Sequence, residues 1–492
     1  MQPLRSVPNA DNVVDAEIKI EPLTRTIAGD SNNQRLTSFV QKTTGTSEGV
    51  KPGRLGKQSF LRRGHTLTYV SLFLFTVILY ARPAEFYPSP LTASIALIVG
   101  LLTLAIFIPS QLSLEGTLSG RPREVNLVLL FFLTGLLSIP LAINPQTAWL
   151  QFSGTFIRCV VIFIVMVNAV RTEKRLIWLL LLAITVSCWL SLGAINDYRL
   201  GRLTVEGYRV GGVGQGIFGN SNDMAFYMVT IMPVAIALIF IARGAVRKVL
   251  LAASVALMMG AIVVTYSRGA FLGGVVALGF LTWRLGSKNR LTYFTMGALG
   301  LLLFLTLAPG NYSVRVLSIF VPSLDPVGSS GARRGELFRS LYVAIRHPIF
   351  GVGMGNYASE MSYSGLVTHN AYTQVASEMG VAALVIYTMF VLAPLRKLGQ
   401  IARETFSAPV SSRYYYLAIG LQASLLAYLV SSFFGSVAYL WYVYYLVAYA
   451  VCLRRLYESE TGRAVVVEKR KNKELRSLRV PLRTGGESRT TT

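Results

Sequence analysis

Residues 91–108 read LTASIALIVGLLTLAIFI, an apolar run without a charged side chain. About 20 apolar residues in an α-helix cross the hydrocarbon core of a bilayer, so this run predicts a membrane-spanning helix. Similar runs recur along the chain between charged, proline or glycine residues. They predict about twelve spans, at 66–80, 91–108, 125–143, 154–170, 176–195, 223–242, 249–265, 269–283, 291–308, 380–395, 414–433 and 437–453. The expected fold is an all-α, polytopic integral membrane protein.

The composition of the whole chain agrees with this class. Of 492 residues, 53% are hydrophobic and 14% are charged, whereas about a quarter of the residues of soluble proteins are charged. A soluble globular enzyme is therefore excluded. The formal net charge of +24 would indicate nucleic-acid binding in a soluble protein. In a membrane protein it indicates attraction to anionic lipids, and we expect no nucleic-acid partner.

The distribution of positive charge predicts the topology. The polar segment 1–65 has no early apolar stretch, and each predicted connection on its side of the membrane carries Lys or Arg. The positive-inside rule therefore places both termini in the cytoplasm. The expected regions are a weakly ordered tail, nine helices, a large outer loop, three helices and a basic tail, at 1–65, 66–308, 309–379, 380–453 and 454–492.

Two connections on the outer side are longer than simple turns, and loops of that length are usually functional or disordered. One of them, 196–222, contains the stretch 208–222, which is rich in glycine and amide side chains and leads into a helix. Glycines let a backbone approach an anion, helix N-termini favour negative charge, and the guanidinium of Arg209 suits phosphate oxygens. The alternatives are a tight turn and an arginine that contacts lipid headgroups.

The longer connection, 309–379, contains the stretch 332–347, in which apolar residues recur at helical spacing among arginines. This pattern predicts a helix that lies on the outer membrane surface. His369 follows it, and histidine has the pKa of a general base near neutral pH. The alternative for a single loop histidine is simple solvation.

Two arginines fall in or beside predicted spans. Arg268 follows a turn so short that the side chain must lie at the membrane, where an ionisable residue is a functional candidate. The alternative is an anchor that reaches the membrane surface. Arg158 is a second candidate for the same anion site, or it pairs with a backbone carbonyl. Behind Arg268, the small residues Gly269, Gly273 and Ala277 predict close packing of a neighbouring helix.

The cysteines and histidines do not suggest a metal site. Cys159, Cys188 and Cys452 all fall in apolar runs without a CxxC pair, and are expected to be buried. The three histidines are scattered, and no Asp-x-Asp pair offers ligands for a divalent ion. We expect no cofactor and no metal, so arginines would supply the charge for any phosphate chemistry.

Taken in order, these motifs resemble the O-antigen ligase and O-antigen polymerase family. The resemblance spans about 66–453 and is carried by the Arg209 loop ending in GNSN, the YSRG turn at 266–269, PIFGVGMGN at 348–356, and His369-Asn370 before Glu378-x-Gly380. The long N-terminal segment is atypical of the family, and Ser221 stands where a proline is common.

The resemblance implies a glycosyltransferase of the bacterial inner membrane with its active site facing the periplasm. The donor would be an undecaprenyl-diphosphate-linked glycan. The acceptor would be lipid A-core for a ligase, or another carrier-linked saccharide for an O-antigen or exopolysaccharide polymerase. Direct inversion without a metal is the implied mechanism, and polysaccharide-assembly proteins are possible partners.

The same resemblance implies that Arg209 and Arg268 hold the diphosphate and that His369 is the base. We expect further substrate contacts from Arg158, Asn220, Asn222, Asn370 and Arg334. A solute transporter is the alternative from another class, since many spans with intramembrane arginines also suit a carrier. Transporter sites usually lie at the membrane midplane, whereas the candidates here gather at one face.

Overall fold

The structure, a computed structural model, describes residues 64–120, 122–214, 218–286, 291–292, 295, 297–298, 312–319, 321–324, 328–406 and 412–478. The segment 1–63, most of the predicted span 291–308 and residues 479–492 lie outside this description. The described residues form helices and no strand. We number the helices α1 Thr66–Ala81, α2 Pro83–Phe86, α3 Pro90–Glu115, α4 Arg123–Ser138, α5 Pro145–Gln151, α6 Ile157–Ala169, α7 Glu173–Arg199, α8 Ser221–Ile241, α9 Ala245–Val264, α10 Arg268–Leu285, α11 Tyr312–Leu317, α12 Ser329–Arg346, α13 Ala371–Met379, α14 Val381–Thr405, α15 Ser412–Ser431 and α16 Trp441–Leu478.

Eight helical segments in the described ranges are long and apolar enough to cross a membrane. They are Thr66–Glu85, Pro90–Glu115, Pro145–Ala169, Glu173–Arg199, Ser221–Ile241, Ala245–Val264, Val381–Thr405 and Arg413–Phe434. The prediction of an all-helical, polytopic membrane protein is therefore confirmed. Helices α4, α10 and α16 coincide with three further predicted spans without meeting the same criteria. The count of twelve spans stays a prediction.

One span begins earlier than its apolar run indicates. The prediction started at residue 154, but helical structure begins at Pro145 and continues through a π-helical turn, Phe152–Phe156, into α6. The Asn144 side chain accepts a hydrogen bond from the Thr147 amide, and Pro145 occupies the first helical position, where its missing N–H costs nothing. Polar residues in the first turns hid this start from a hydropathy reading.

Burial separates central helices from peripheral ones. In α8, 78% of an apolar 18-residue stretch is buried, against 17% of the corresponding stretch in α3. Helix α8 packs against α15, which also packs against α10 and α14. On α3, by contrast, Leu97, Leu101 and Leu102 are exposed, as expected of side chains that face lipid.

The predicted small-residue face of α10 contacts α15. A Cβ atom at Gly273 would lie 2.9 Å from the Ala427 carbonyl oxygen, and one at Gly269 would lie 2.7 Å from Phe434 Cβ. Small side chains thus let α10 approach α15 and the turn after it. This packing positions Arg268, the first residue of α10.

The long connection before α14 contains helical structure. Helix α12 covers most of the stretch predicted to be helical, and α12 packs against α13. A hydrogen bond of 2.9 Å from Ser340 Oγ to Thr373 Oγ1 joins these two helices. Helix α12 carries Arg334, and His369 lies on the turn before α13.

Candidate active site

Arg209 is a buried arginine, 2% exposed, in the glycine-rich loop before α8. Its Nε donates to the Thr265 carbonyl at 2.8 Å, and its Nη2 donates to Ser221 Oγ and Asn222 Oδ1, both at 3.1 Å. Its Nη1 lies 3.5 Å from Glu206 Oε1. Burial lowers the pKa of Arg209, while Glu206 favours its charged form. The side chain therefore connects its own loop to the start of α8 and to the turn before α10.

Arg268 is 8% exposed and begins α10 directly after that turn. Its Nη1 donates to Ser318 Oγ at 3.0 Å, and its Nη2 donates to Ser329 Oγ at 3.2 Å. Ser318 follows α11, and Ser329 begins α12. Arg268 thus holds the segments around α11 and α12 against α10 while its side chain lines a cavity.

Arg315 and Glu206, which are not among the predicted site residues, form an ion pair beside Arg209. Arg315 is 4% exposed, and its Nη2 lies 3.0 Å from Glu206 Oε2. Glu206 adopts a left-handed backbone conformation with φ of 55°. Burial opposes its ionisation, but the hydrogen bond from Tyr208 and the charges of Arg209 and Arg315 lower its pKa. Glu206 and Arg315 lie in two different long connections, so nothing in the sequence predicts that they form an ion pair.

Arg333, on the first turns of α12, is another residue that the sequence analysis passed over, in favour of Arg334. Burial, and next the charge of Arg268, lower the pKa of Arg333 to about 10, with Arg209 and Arg315 acting in the same direction. Arg209, Arg268 and Arg315 therefore lie close enough to Arg333 for their charges to change its pKa. Preorganised positive charge of this kind stabilises a phosphate or diphosphate group.

His369 lies on the turn before α13. Its backbone has φ of 51°, a conformation that is uncommon for a residue with a Cβ. The neighbours on both sides fix the turn: Thr368 Oγ1 lies 2.8 Å from Ser436 Oγ, and Asn370 caps α13 by accepting from the amides of Tyr372 and Thr373. The imidazole is therefore presented from a rigid support.

Two charged residues of α12, Arg333 and Glu336, shift the pKa of His369 in opposite directions. Burial, followed by the charge of Arg333, lowers the pKa of His369 to about 4, while Glu336 opposes the shift. Burial also opposes ionisation of Glu336, but hydrogen bonds from Ser364, Tyr357 and Ser362 and the interaction with His369 lower its pKa. The imidazole is consequently neutral at pH 7, the form that accepts a proton.

His369 lines two cavities, each of about 400 Å³. The first, which we call the arginine cavity, is lined by three arginines together with hydroxyl, amide and apolar side chains. Its walls include Arg268, Arg333, Arg334, Ser318, Ile319, Leu337, Asn370 and Phe433. Asn370 is 2% exposed, and its Nδ2 makes no hydrogen bond in the described structure. A buried donor without a partner suits an anionic ligand.

The second cavity, which we call the carboxylate cavity, contains two acids and no Lys or Arg among its lining residues. Thr368, His369 and Phe434 line both cavities. The other walls of the carboxylate cavity include Gln151, Asn220, Asn222, Asp223, Tyr357, Gln374, Glu378 and Ser436. The two cavities therefore meet at the His369 turn and differ in charge.

The glycine-rich stretch 348–356 positions Glu378. The Gly353 amide donates to the Glu378 carbonyl at 2.9 Å, and the Val352 amide donates to the Ser377 carbonyl at 2.8 Å. Gly351 has φ of 68°, and a Cβ atom there would lie 2.3 Å from the Glu378 carbonyl carbon. Glycine is required because no side chain fits this approach. The loop thus wraps the end of α13, where Glu378 lines the carboxylate cavity.

The structure brings together most of the residues predicted for the site. Arg268, Arg334, Asn370 and His369 line the arginine cavity, and Asn220, Asn222 and His369 line the carboxylate cavity. Arg209 lines neither cavity, and its side chain contacts the turn before α10 and the start of α8. Arg158 is exposed on α6 and also lines neither cavity. Within the described ranges, no group of three His, Cys, Asp or Glu residues could hold a metal ion.

Comparison with known proteins agrees with the motifs. No curated protein matches the chain significantly. Residues 253–388 match a family model described as O-antigen ligase. This segment contains Arg268, Arg333, His369 and Glu378, so it supplies side chains to both cavities. The match to this segment and the helical membrane architecture support the resemblance to the O-antigen ligase and polymerase family.

Proposed function

We propose that the protein transfers a glycan from undecaprenyl diphosphate to an acceptor hydroxyl at the periplasmic face of the inner membrane. A ligase would use lipid A-core as the acceptor, and a polymerase would use a second carrier-linked saccharide. The observation that carries the proposal is the place of His369, which lines both a cavity with three arginines and a cavity with two acids. A base in that position reaches an acceptor on one side and the reacting sugar on the other.

The arginine cavity suits the donor diphosphate. As the glycosidic bond breaks, the diphosphate leaving group gains negative charge, which guanidinium groups in a poorly hydrated site stabilise. Arg268 is held by Ser318 and Ser329, so its orientation is fixed before the donor binds. Leu337, Phe433 and Phe434 supply apolar surface in the same cavity, which suits the first part of a polyprenyl chain.

His369 would accept the proton of the acceptor hydroxyl as that oxygen attacks the anomeric carbon. The electron pair of the glycosidic bond leaves with the diphosphate, and the anomeric configuration inverts. General base catalysis of this kind contributes about 10²–10⁴-fold to a rate. The diphosphate would also offset the positive charge of Arg333, which lowers the pKa of His369. Donor binding would therefore make the imidazole a stronger base.

The test is glycan transfer by the purified full-length protein in nanodiscs, with an undecaprenyl-diphosphate-linked oligosaccharide and EDTA. Lipid A-core and a carrier-linked saccharide are offered as acceptors in separate reactions. The matched variants are His369→Ala and His347→Ala, because His347 is exposed at the end of α12 and lines neither cavity. We expect metal-independent transfer by the wild type and by His347→Ala, and a loss of at least about 100-fold in His369→Ala.

The acceptor that becomes modified distinguishes the two activities. Product on lipid A-core identifies a ligase, and a longer carrier-linked glycan identifies a polymerase. Absence of product with both acceptors from folded protein would contradict the proposed function, and solute flux in proteoliposomes would then test the transporter alternative. Equal losses in the two histidine variants would contradict the role of His369.

A further inference from the structure

Glu378 is a buried acid that lines the carboxylate cavity. The side chain lies at the end of α13 in the carboxylate cavity and is 4% exposed, and its Oε2 makes no hydrogen bond. Burial raises the pKa of Glu378 to about 7, although the Gly355 and Tyr357 amides and the Tyr439 phenol favour its ionised form. A buried acceptor without a donor is costly. A ligand that donates a hydrogen bond would remove that cost.

The charges around the two cavities assign them to different ligands. Glu378 and Asp223 line the carboxylate cavity, where no lysine or arginine is among the lining residues. Two acids offer a diphosphate no countercharge, whereas the arginines of the neighbouring cavity attract it. The ligand of the carboxylate cavity is therefore a neutral group rich in hydrogen-bond donors.

The remaining walls match the chemistry of a saccharide. Gln151, Asn220, Asn222 and Gln374 are amides that both donate and accept, as sugar hydroxyls do. Tyr357 and Phe434 add aromatic surface, against which the apolar C–H face of a sugar ring packs. A hydroxyl that donates to a carboxylate forms a charge-assisted hydrogen bond, which is stronger than a neutral one.

We propose that the carboxylate cavity is the acceptor-saccharide subsite and that Glu378 accepts a hydrogen bond from a hydroxyl of the acceptor. The assignment to the acceptor rests on the proposed function. In an inverting displacement the nucleophile and the leaving group lie on opposite sides of the anomeric carbon. With the diphosphate among the arginines, the acceptor belongs on the other side of the His369 turn, in the carboxylate cavity. Glu378 is then a residue that binds and positions the acceptor, beside the base.

Steady-state kinetics of the full-length protein in nanodiscs test this assignment. The variant Glu378→Gln keeps the size of the side chain and removes its charge, and Gln151→Ala shortens a side chain contributed by another helix, α5. Glu404→Gln, on an exposed carboxylate at the end of α14, is the matched control. We expect the KM for the acceptor that the wild type uses to rise about tenfold in Glu378→Gln. The KM for the donor should stay within about twofold in all three variants.

A direct measurement of saccharide binding tests the inference independently of the proposed transfer reaction. Saturation-transfer NMR with the carrier-free lipid A-core oligosaccharide and the carrier-free donor oligosaccharide reports saccharide binding without transfer. We expect a signal with the wild type that weakens in Glu378→Gln and Gln151→Ala and persists in Glu404→Gln. If the wild type transfers glycan but Glu378→Gln leaves the acceptor KM unchanged, the inference is wrong and the proposed function stands. A rise in the donor KM alone would assign the cavity to the donor glycan and overturn the acceptor subsite.

If the wild type transfers no glycan, the proposed function fails and the NMR result decides the remaining part of the inference. A saccharide signal that depends on Glu378 would retain the cavity as a saccharide site. A signal that is absent, or that is equal in every variant, would overturn it. Thermal unfolding of each variant excludes misfolding as the cause of a loss.

Discussion

Arg209 Nε donates a 2.8 Å hydrogen bond to the carbonyl oxygen of Thr265, a residue 56 positions later in the chain. The bond joins the two arginine motifs of the site, because Thr265 lies in the turn that presents Arg268. The Val210 amide adds a backbone hydrogen bond of 3.3 Å to the Val264 carbonyl. Arg209 therefore supports the turn that presents Arg268 to the arginine cavity.

We predict that Arg209→Ala destabilises the protein, by about 3 kcal/mol. The change removes one partner of a buried ion pair and leaves the Thr265 carbonyl and Ser221 without their donor. Thermal unfolding in nanodiscs should show a lower midpoint, together with a loss of transfer. Arg247→Ala, at an exposed position on α9, is the control and should leave both unchanged. If Arg209→Ala unfolds at the same temperature as the wild type, the structural role is wrong, and binding of the donor would be the remaining role of Arg209.

The acid limb of the pH profile should depend on Arg333. Protonation of His369 abolishes its function as a base, so kcat/KM should fall as the pH falls through the His369 pKa, which is about 4 in the free protein. Removing the positive charge in Arg333→Gln should move that limb upward, toward the ordinary pKa of 6.5. The measurement is kcat/KM between pH 4 and pH 8 for both proteins, over a range that each tolerates.

Glu378 titrates in the same range, since its pKa is raised to about 7. The pH dependence of kcat/KM is therefore also measured for Glu378→Gln, beside the wild type and Arg333→Gln. An acid limb that persists in Glu378→Gln does not arise from Glu378. A limb at the same pH in the wild type and in Arg333→Gln would contradict an interaction between Arg333 and His369.

Particular segments show how far the sequence predicts this structure. The apolar run 91–108 lies inside α3, and helical spacing in 332–347 predicts most of α12, because both depend on local periodicity. The arginine that would face His369 was not predictable, since adjacent residues differ by about 100° around a helix and only packing fixes the rotation. The spacing of residues in the sequence does not reveal contacts between distant segments. The glycine-rich stretch 348–356 therefore does not predict that it surrounds Glu378.

We predict that Gly380→Ala disrupts the support of Glu378. Gly380 separates α13 from α14 with φ of 88°, and a Cβ atom there would lie 2.2 Å from the Ile349 carbonyl oxygen. Strain and displacement of the loop should cost about 2 kcal/mol or more and reduce transfer. The control Gly154→Ala has an ordinary φ and nothing within 4 Å of its new Cβ atom. Equal thermal midpoints in the two variants would contradict the close packing around Gly380.

We predict that the three cysteines take no part in transfer. Cys159 and Cys452 are buried, Cys188 is partly buried, and none forms a disulfide. The thiols of Cys159 and Cys452 donate hydrogen bonds to the backbone carbonyls of Tyr439 and Met166, at 3.7 and 3.6 Å. Replacement of all three by Ala should lower the thermal midpoint at most and preserve kcat. A selective loss of kcat in a folded triple variant would reveal a reactive thiol.

The cysteine-free protein allows a test of the predicted topology. Tyr363 is 87% exposed and lies between α12 and α13, six residues before His369 in the sequence. In the cysteine-free background we expect Tyr363→Cys to react with a membrane-impermeant maleimide in cells whose outer membrane has been permeabilised, because the proposed donor is used at the periplasmic face. Gln400→Cys, near the end of α14 and beside the basic residues of a predicted inner connection, should react only after the inner membrane is opened. Labelling in the reverse order would place His369 on the cytoplasmic side. That orientation is the one that the positive-inside rule disfavours, and it would contradict the proposed reaction.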